Sequence, residues 1–149
     1  MADHISTNSL IRRIMKADQL NIYLEQNAQY MKPEDFCACL QRLCKARGDV
    51  PERVILRSQI ERSYGHQLFN GTRRPSREKV IQLAFGLSLA VEEAQDLLQA
   101  AGKGLLNPRV PRDAAIIFCL HQRLSLIDAQ DVLSTNGLTP LGDGARDGA

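Results

Sequence analysis

Apolar residues recur at three- and four-residue spacing along most of this chain, so its pattern predicts helices. Over residues 6–31 the apolar positions are Leu10, Ile11, Ile14 and Met15, then Leu20, Ile22, Tyr23 and Leu24, which fits one or two helices with Asp18 capping the second. Pro33 breaks the pattern, and Glu34 and Asp35 suit the first turn of a helix reaching about Arg47, with Phe36, Leu40, Leu43 and Cys44 on its inner stripe. Gly48 ends it. Asp49 is the cap candidate and Pro51 the first-turn residue of a short helix with Val54, Ile55 and Leu56 inside. After the interruption at Ser58-Gln59, the spacing of Ile60, Tyr64 and Leu68 predicts another short helix, whose polar side carries Glu61, Arg62, Ser63, His66 and Gln67. Gly71 closes it, Pro75 forbids continuation, and Ser76 caps the helix that opens at Arg77.

Further on, Val91 to Ala101 reads as a helix with Ala94, Leu97, Leu98 and Ala101 inward, stopped by Gly102. A two-proline bridge follows. Residues 112–136 then read as a helical hairpin, one arm with Ala115, Ile116, Cys119 and Leu120, the other with Ile127, Ala129, Val132 and Leu133 inward. Asn136-Gly137 ends the hairpin, and residues 139–149 are expected to be a disordered tail, glycine-rich from Gly142 on. The expected organisation is therefore an N-terminal helical extension over residues 1–32, a central domain over 33–103, the hairpin over 108–138, and the tail.

Composition supports an all-α reading. The 149 residues include no Trp and only 5% aromatics, β-branched runs are scarce, and helix formers dominate. The first ten residues hold no apolar segment of signal-peptide length, and the longest apolar run, Ala114 to Leu120, is far short of a membrane span. A cytoplasmic protein without a membrane association is expected. Cys37, Cys39, Cys44 and Cys119 form no C-x-x-C pair and read as reduced thiols, with Cys37 and Cys44 sharing a helix face with Leu40. His4, His66 and His121 stand singly, so neither a metal nor another cofactor is assigned.

Charge changes the picture at one place. Residues 57–79 carry six basic and two acidic residues, +4 on a chain whose total is +2, so the remainder is net acidic. A basic patch on a near-neutral chain localises its field on one surface, which suits a polyanionic partner. Two short helices separated by a tight turn, the second polar and rich in amide and guanidinium groups on one side, are the arrangement that sets a helix into a major groove.

From Asp49 to Leu89, and most specifically in FNGTRRPSREKVIQLAFGLSL, the chain resembles the lambda-repressor-like, XRE-type helix-turn-helix family. The shared features are a glycine after the recognition helix, a basic loop, Pro75-Ser76 and an amphipathic helix. The resemblance implies a five-helix DNA-binding domain whose recognition helix is about Glu61–Asn70. Arg62, Ser63, His66 and Gln67 would match its base-reading positions, and Asn70, Thr72, Arg73, Arg74 and Arg77 its contacts to the DNA backbone. The chain departs from the family at Pro51, where a phosphate-steadying Gln is usual, leaving Arg53 as the replacement contact. It departs again at Ser58-Gln59, where Ala-Gly is common, and at Ile55 and Gly65, where large and small are exchanged.

The function implied is sequence-specific binding of double-stranded DNA by a homodimeric transcriptional regulator. The hairpin reads either as core filler covering the domain's exposed apolar side or as a dimerisation surface; family members commonly bind two-fold sites as dimers, and the N-terminal segment is an equal candidate for that surface, with a protein partner through either set of helices also open. The alternative is a helix-turn-helix-fold interaction module or adaptor, including an antitoxin-like partner, that does not read DNA. An enzyme is not expected, because no paired carboxylates, Ser/His/Asp or Cys/His set, or glycine-rich phosphate loop stands at a supporting spacing.

Overall fold

A computed structural model describes residues 5–142, which form helices joined by short turns with no strand among them. Local chemistry accounts for where the helices begin. The side chains of Ser6, Asp35, Ser76 and Ser125 each accept a hydrogen bond from the backbone N–H three residues on, satisfying one of the orphan donors of the first turn. Pro51 and Pro111 occupy first-turn positions, where a missing N–H forfeits no bond. Two expected caps are not used. Asp18 gives way to Gln19, which caps the second helix without a side-chain bond. Asp49 lies one residue too early: the cap is Val50, and the Asp49 carboxylate accepts from the Val50 N–H and pairs with Arg57.

Two compact units divide the chain between Glu34 and Asp35. In the first, α1 (Thr7–Lys16) and α2 (Leu20–Gln26) are followed by a short 3-10 turn at Ala28–Tyr30. Their shared polar centre is Asn27, which accepts from Arg13 at 2.7 Å and donates to the Tyr23 carbonyl at 2.9 Å. Arg13 also lies over the Tyr30 ring, 5.6 Å from its centroid.

The second unit holds α3 (Phe36–Ala46), α4 (Pro51–Arg57), α5 (Arg62–Asn70), α6 (Arg77–Gly86), α7 (Val91–Ala100), α8 (Pro111–His121) and α9 (Leu126–Thr135). At its centre is α6, in which every residue except Arg77 and Lys79 is buried, packed against α4, α7 and α9. A helix covered on all sides belongs inside a core, and Val80, Leu83, Leu87 and Leu89 are among the most deeply buried side chains of the chain. The inner stripe of α3 is Phe36, Cys39, Leu40, Leu43 and Cys44. Cys37 is only half-buried and donates its S–H to the Phe69 carbonyl, so it is Cys39 that joins Cys44 in the core. Leu56 and Ile127 face outward, against expectation, at 78% and 62% exposure.

The hairpin of α8 and α9 is not a separate domain but part of the same core, through Ile116, Cys119, Leu120, Leu126, Ala129 and Leu133. Two reciprocal ion pairs fasten it to α6. Arg112 grips the buried Glu78 carboxylate through two bonds of 2.7 and 2.8 Å, and Arg77 pairs with the buried Asp113 at 2.9 Å. Residues 139–142, expected to begin a disordered tail, are held in place: Arg112 donates to the Thr139 and Pro140 carbonyls, and Leu141 is buried. Residues 143–149 of that expected tail lie outside the described residues. No described helix is long and apolar enough to cross a membrane.

Candidate nucleic-acid interface

The link between α4 and α5 is built from behind. Ser58, wholly buried, donates its hydroxyl to the Val54 carbonyl at 2.6 Å, and the buried Gln82 amide of α6 donates to the Ser58 carbonyl at 3.0 Å. Gln59 then takes a left-handed backbone with φ of 54°, where glycine is the ordinary choice. A side chain at Gly86 would collide with the Ser58 hydroxyl and the Val54 carbonyl, so α6 can pass this close to the end of α4 only with glycine there. The exchange of large and small between Ile55 and Gly65 is complementary: a Cβ on Gly65 would lie 2.5 Å from Ile55 Cγ2. In the packing of α4 on α5, Ile55 fills the space that a side chain at position 65 would take.

Helix α5 starts at Arg62, so Ile60 belongs to the preceding turn, although it is buried. Glu61 is its cap, accepting from the Ser63 and Tyr64 N–H groups at 2.9 and 2.8 Å. Those two amide bonds hold the Glu61 carboxyl below the usual range. Leu68 and Phe69 face the core, while Arg62 and Ser63 are exposed and His66 and Gln67 half-exposed. The four predicted base-reading residues thus share the outer side of α5.

An acid missed in the sequence sits among them. Glu52 of α4 places one carboxylate oxygen 2.9 Å from both Arg62 Nη2 and His66 Nε2. The Arg62 bond first, and then the His66 bond, holds its carboxyl below the usual range, and the same contact raises the Arg62 guanidinium. Glu52 stands ten and fourteen residues from its partners on another helix, a separation that no helical spacing rule reads.

The loop after α5 carries the remaining basic groups. Arg73 lies over the Tyr64 ring at 4.6 Å from its centroid and donates to the Gln67 side-chain oxygen at 2.9 Å. Asn70 accepts from both the N–H and the hydroxyl of Thr72, fixing the loop's first turn. Thr72, Arg73 and Arg74 are exposed there, and Arg53 is exposed on α4. Arg77 is the exception among the assigned contacts to the DNA backbone. Its side chain is 15% exposed, paired with Asp113 and bonded to the Gly104 and Leu105 carbonyls, so its charge is neutralised inside the protein. The local excess of charge counted along the sequence is accordingly smaller at this surface, since Arg77 and Arg62 both have carboxylate partners.

Set against protein-family models, curated proteins and solved structures, the chain matches none of them.

Proposed function

We propose that α3 to α7 are a lambda-repressor-like helix-turn-helix domain that binds double-stranded DNA, with α5 in the major groove, as part of a homodimeric transcriptional regulator. The observation that carries the reading is the α4–α5 pair. A tight turn braced by Gln82 presents the outer side of a short helix, with Arg62, Ser63, His66 and Gln67 on it and Arg73 and Arg74 in the loop that follows. Arginine pairs bidentately with guanine and glutamine with adenine, which assigns Arg62 and Gln67 the sequence-reading roles. Arg53, Thr72, Arg73 and Arg74, with Asn70 ordering the loop, take the phosphates.

A second reading, a protein-interaction module of the same fold, is favoured by Glu52. A carboxylate that already occupies Arg62 and His66 repels phosphate and offers a mixed-charge surface to a protein. A selection from random duplexes, followed by competition titrations, separates the two. The DNA reading expects the wild type to enrich a sequence, and Gln67→Ala to lose about 1–3 kcal/mol of preference at one base-pair position. No enrichment, or preferences untouched in both Gln67→Ala and Arg62→Ala, gives the surface to a protein partner.

A further inference from the structure

Every described helix of the second unit closes on a left-handed residue. Glycine holds that position after α3, α5, α7 and α9, at Gly48, Gly71, Gly102 and Gly137. After α4, α6 and α8 it is held instead by Gln59, Ser88 and Arg123, with φ of 54°, 53° and 59°. These three residues line a single cleft of about 620 Å3 on the side of the unit where those helix ends converge. A side chain in this conformation is strained and glycine is not, yet the chain keeps side chains at these three helix ends; the end of α3, which reaches the cleft through Arg47 and Asp49, closes on Gly48.

The rest of the lining says what would fit. Phe85, Leu87 and Leu126 form an apolar floor, and Leu56 and Ile127 stand exposed at the rim. Arg47, Arg57 and Arg123 bring three positive charges against the one carboxylate in the lining, Asp49. Arg57 is engaged by Asp49 and the Gly86 carbonyl, and Arg47 by Glu93. Arg123 is different: it donates from Nη1 to the Ser88 carbonyl at 2.8 Å and has no carboxylate at ion-pair distance among the described residues. Glu93 feels its charge but is already held by Arg47 and the Ala90 N–H. Clefts of roughly 300–1,000 Å3 with an apolar lining and a few placed polar groups take small organic ligands.

We infer that this cleft is a binding site for a small amphipathic anion, its apolar body on Leu56, Phe85 and Ile127 and its carboxylate or other acidic head on Arg123. The site does not depend on whether the chain binds DNA, and its test uses none. Anilinonaphthalene sulfonate is titrated into the full chain and then displaced with decanoate, decanol and decylamine. One saturable site is expected, with decanoate displacing the probe about ten-fold more effectively than decanol or decylamine, which share its apolar body. Arg123→Gln should weaken decanoate about ten-fold and leave decanol unchanged. Ile127→Glu, at an exposed position where folding is not at stake, should weaken decanoate with little change in Tm. Absence of a saturable site overturns the inference. So does equal displacement by decylamine and decanoate, or decanoate binding that neither substitution alters.

Discussion

Gly65 leaves no room for a side chain, because the Cγ2, Cγ1 and Cδ1 atoms of Ile55 would all lie within 3.0 Å of a Cβ there. Alanine would therefore have to push the two helices apart, against any gain in helix propensity. Gly65→Ala should cost about 1–3 kcal/mol in chemical denaturation. Adding Ile55→Ala should make the effects clearly non-additive, since the second change vacates the space the first one needs. Additive losses would mean that Ile55 does not fill this gap. The same pair shows how volume is shared across the contact: the large residue stands on α4 and the small one on α5.

Helix α5 depends at its start on one carboxylate. Glu61 accepts from two backbone N–H groups and its pKa is lowered by them, so its contribution to stability is present when it is ionised. A group with a depressed folded pKa stabilises above its unfolded value, about 4.3 for a glutamate, and that stability is lost as pH falls through the folded pKa. Wild type should hence melt at a higher temperature than Glu61→Gln at neutral pH, with the difference shrinking on acidification below about 4. A gap that stays constant with pH would assign the effect to something other than the charged cap. In α6, Ser76 caps the first turn and burial governs the rest. Gln82 and Glu78 are polar residues on a helix buried on nearly every side, and each is tolerated because it meets a fixed partner, the Ser58 carbonyl and Arg112.

Across the whole second unit, Arg112 joins three segments: the start of α8, Glu78 on α6, and the carbonyls of residues 139 and 140. Its removal would leave the Glu78 carboxylate buried without its ion-pair partner. Arg112→Ala should destabilise by about 3–5 kcal/mol, and replacing both partners with apolar residues should recover much of the loss. A thermal or denaturant scan of the single and double variants checks this, and a single variant as stable as wild type would show that the clamp does not hold the hairpin. Binding belongs to this scale too, because it sums charges over a surface. If α5 sits in a major groove as proposed, Arg73→Ala and Arg74→Ala should weaken binding to all duplexes alike and lower the salt slope by about one for each phosphate that is no longer neutralised. Arg77→Ala should instead lower stability, since that guanidinium is paired with Asp113. Affinity and slope unchanged in both loop variants would take the loop out of the interface.

The sequence by itself determined several helix boundaries of the second unit, such as the starts of α3 and α6 and the ends of α3, α5 and α7, though it placed the cap of α4 one residue early. Ser76, Pro51 and Gly71 act within one turn of their own position, where capping bonds and backbone sterics are decided without reference to the rest of the fold. It also determined most of the inner stripes of α3 and α7, which follow from 3.6-residue periodicity, though it put Cys37 on the core face of α3 where Cys39 belongs. It placed Leu56 and Ile127 inside wrongly, because periodicity marks a side of a helix and not whether a neighbour covers it. Only the tertiary structure decided which charges remain at the surface. Arg77 and Asp113 are 36 residues apart, Glu78 and Arg112 34, and the packing of α8 beside the start of α6 brings them together. The same is true of Glu52 beside Arg62 and His66, and of the cleft where α4, α6 and α8 end. Each left-handed residue is a local event, but their convergence is fixed by the packing of helices far apart in the chain, and no spacing in the sequence records it.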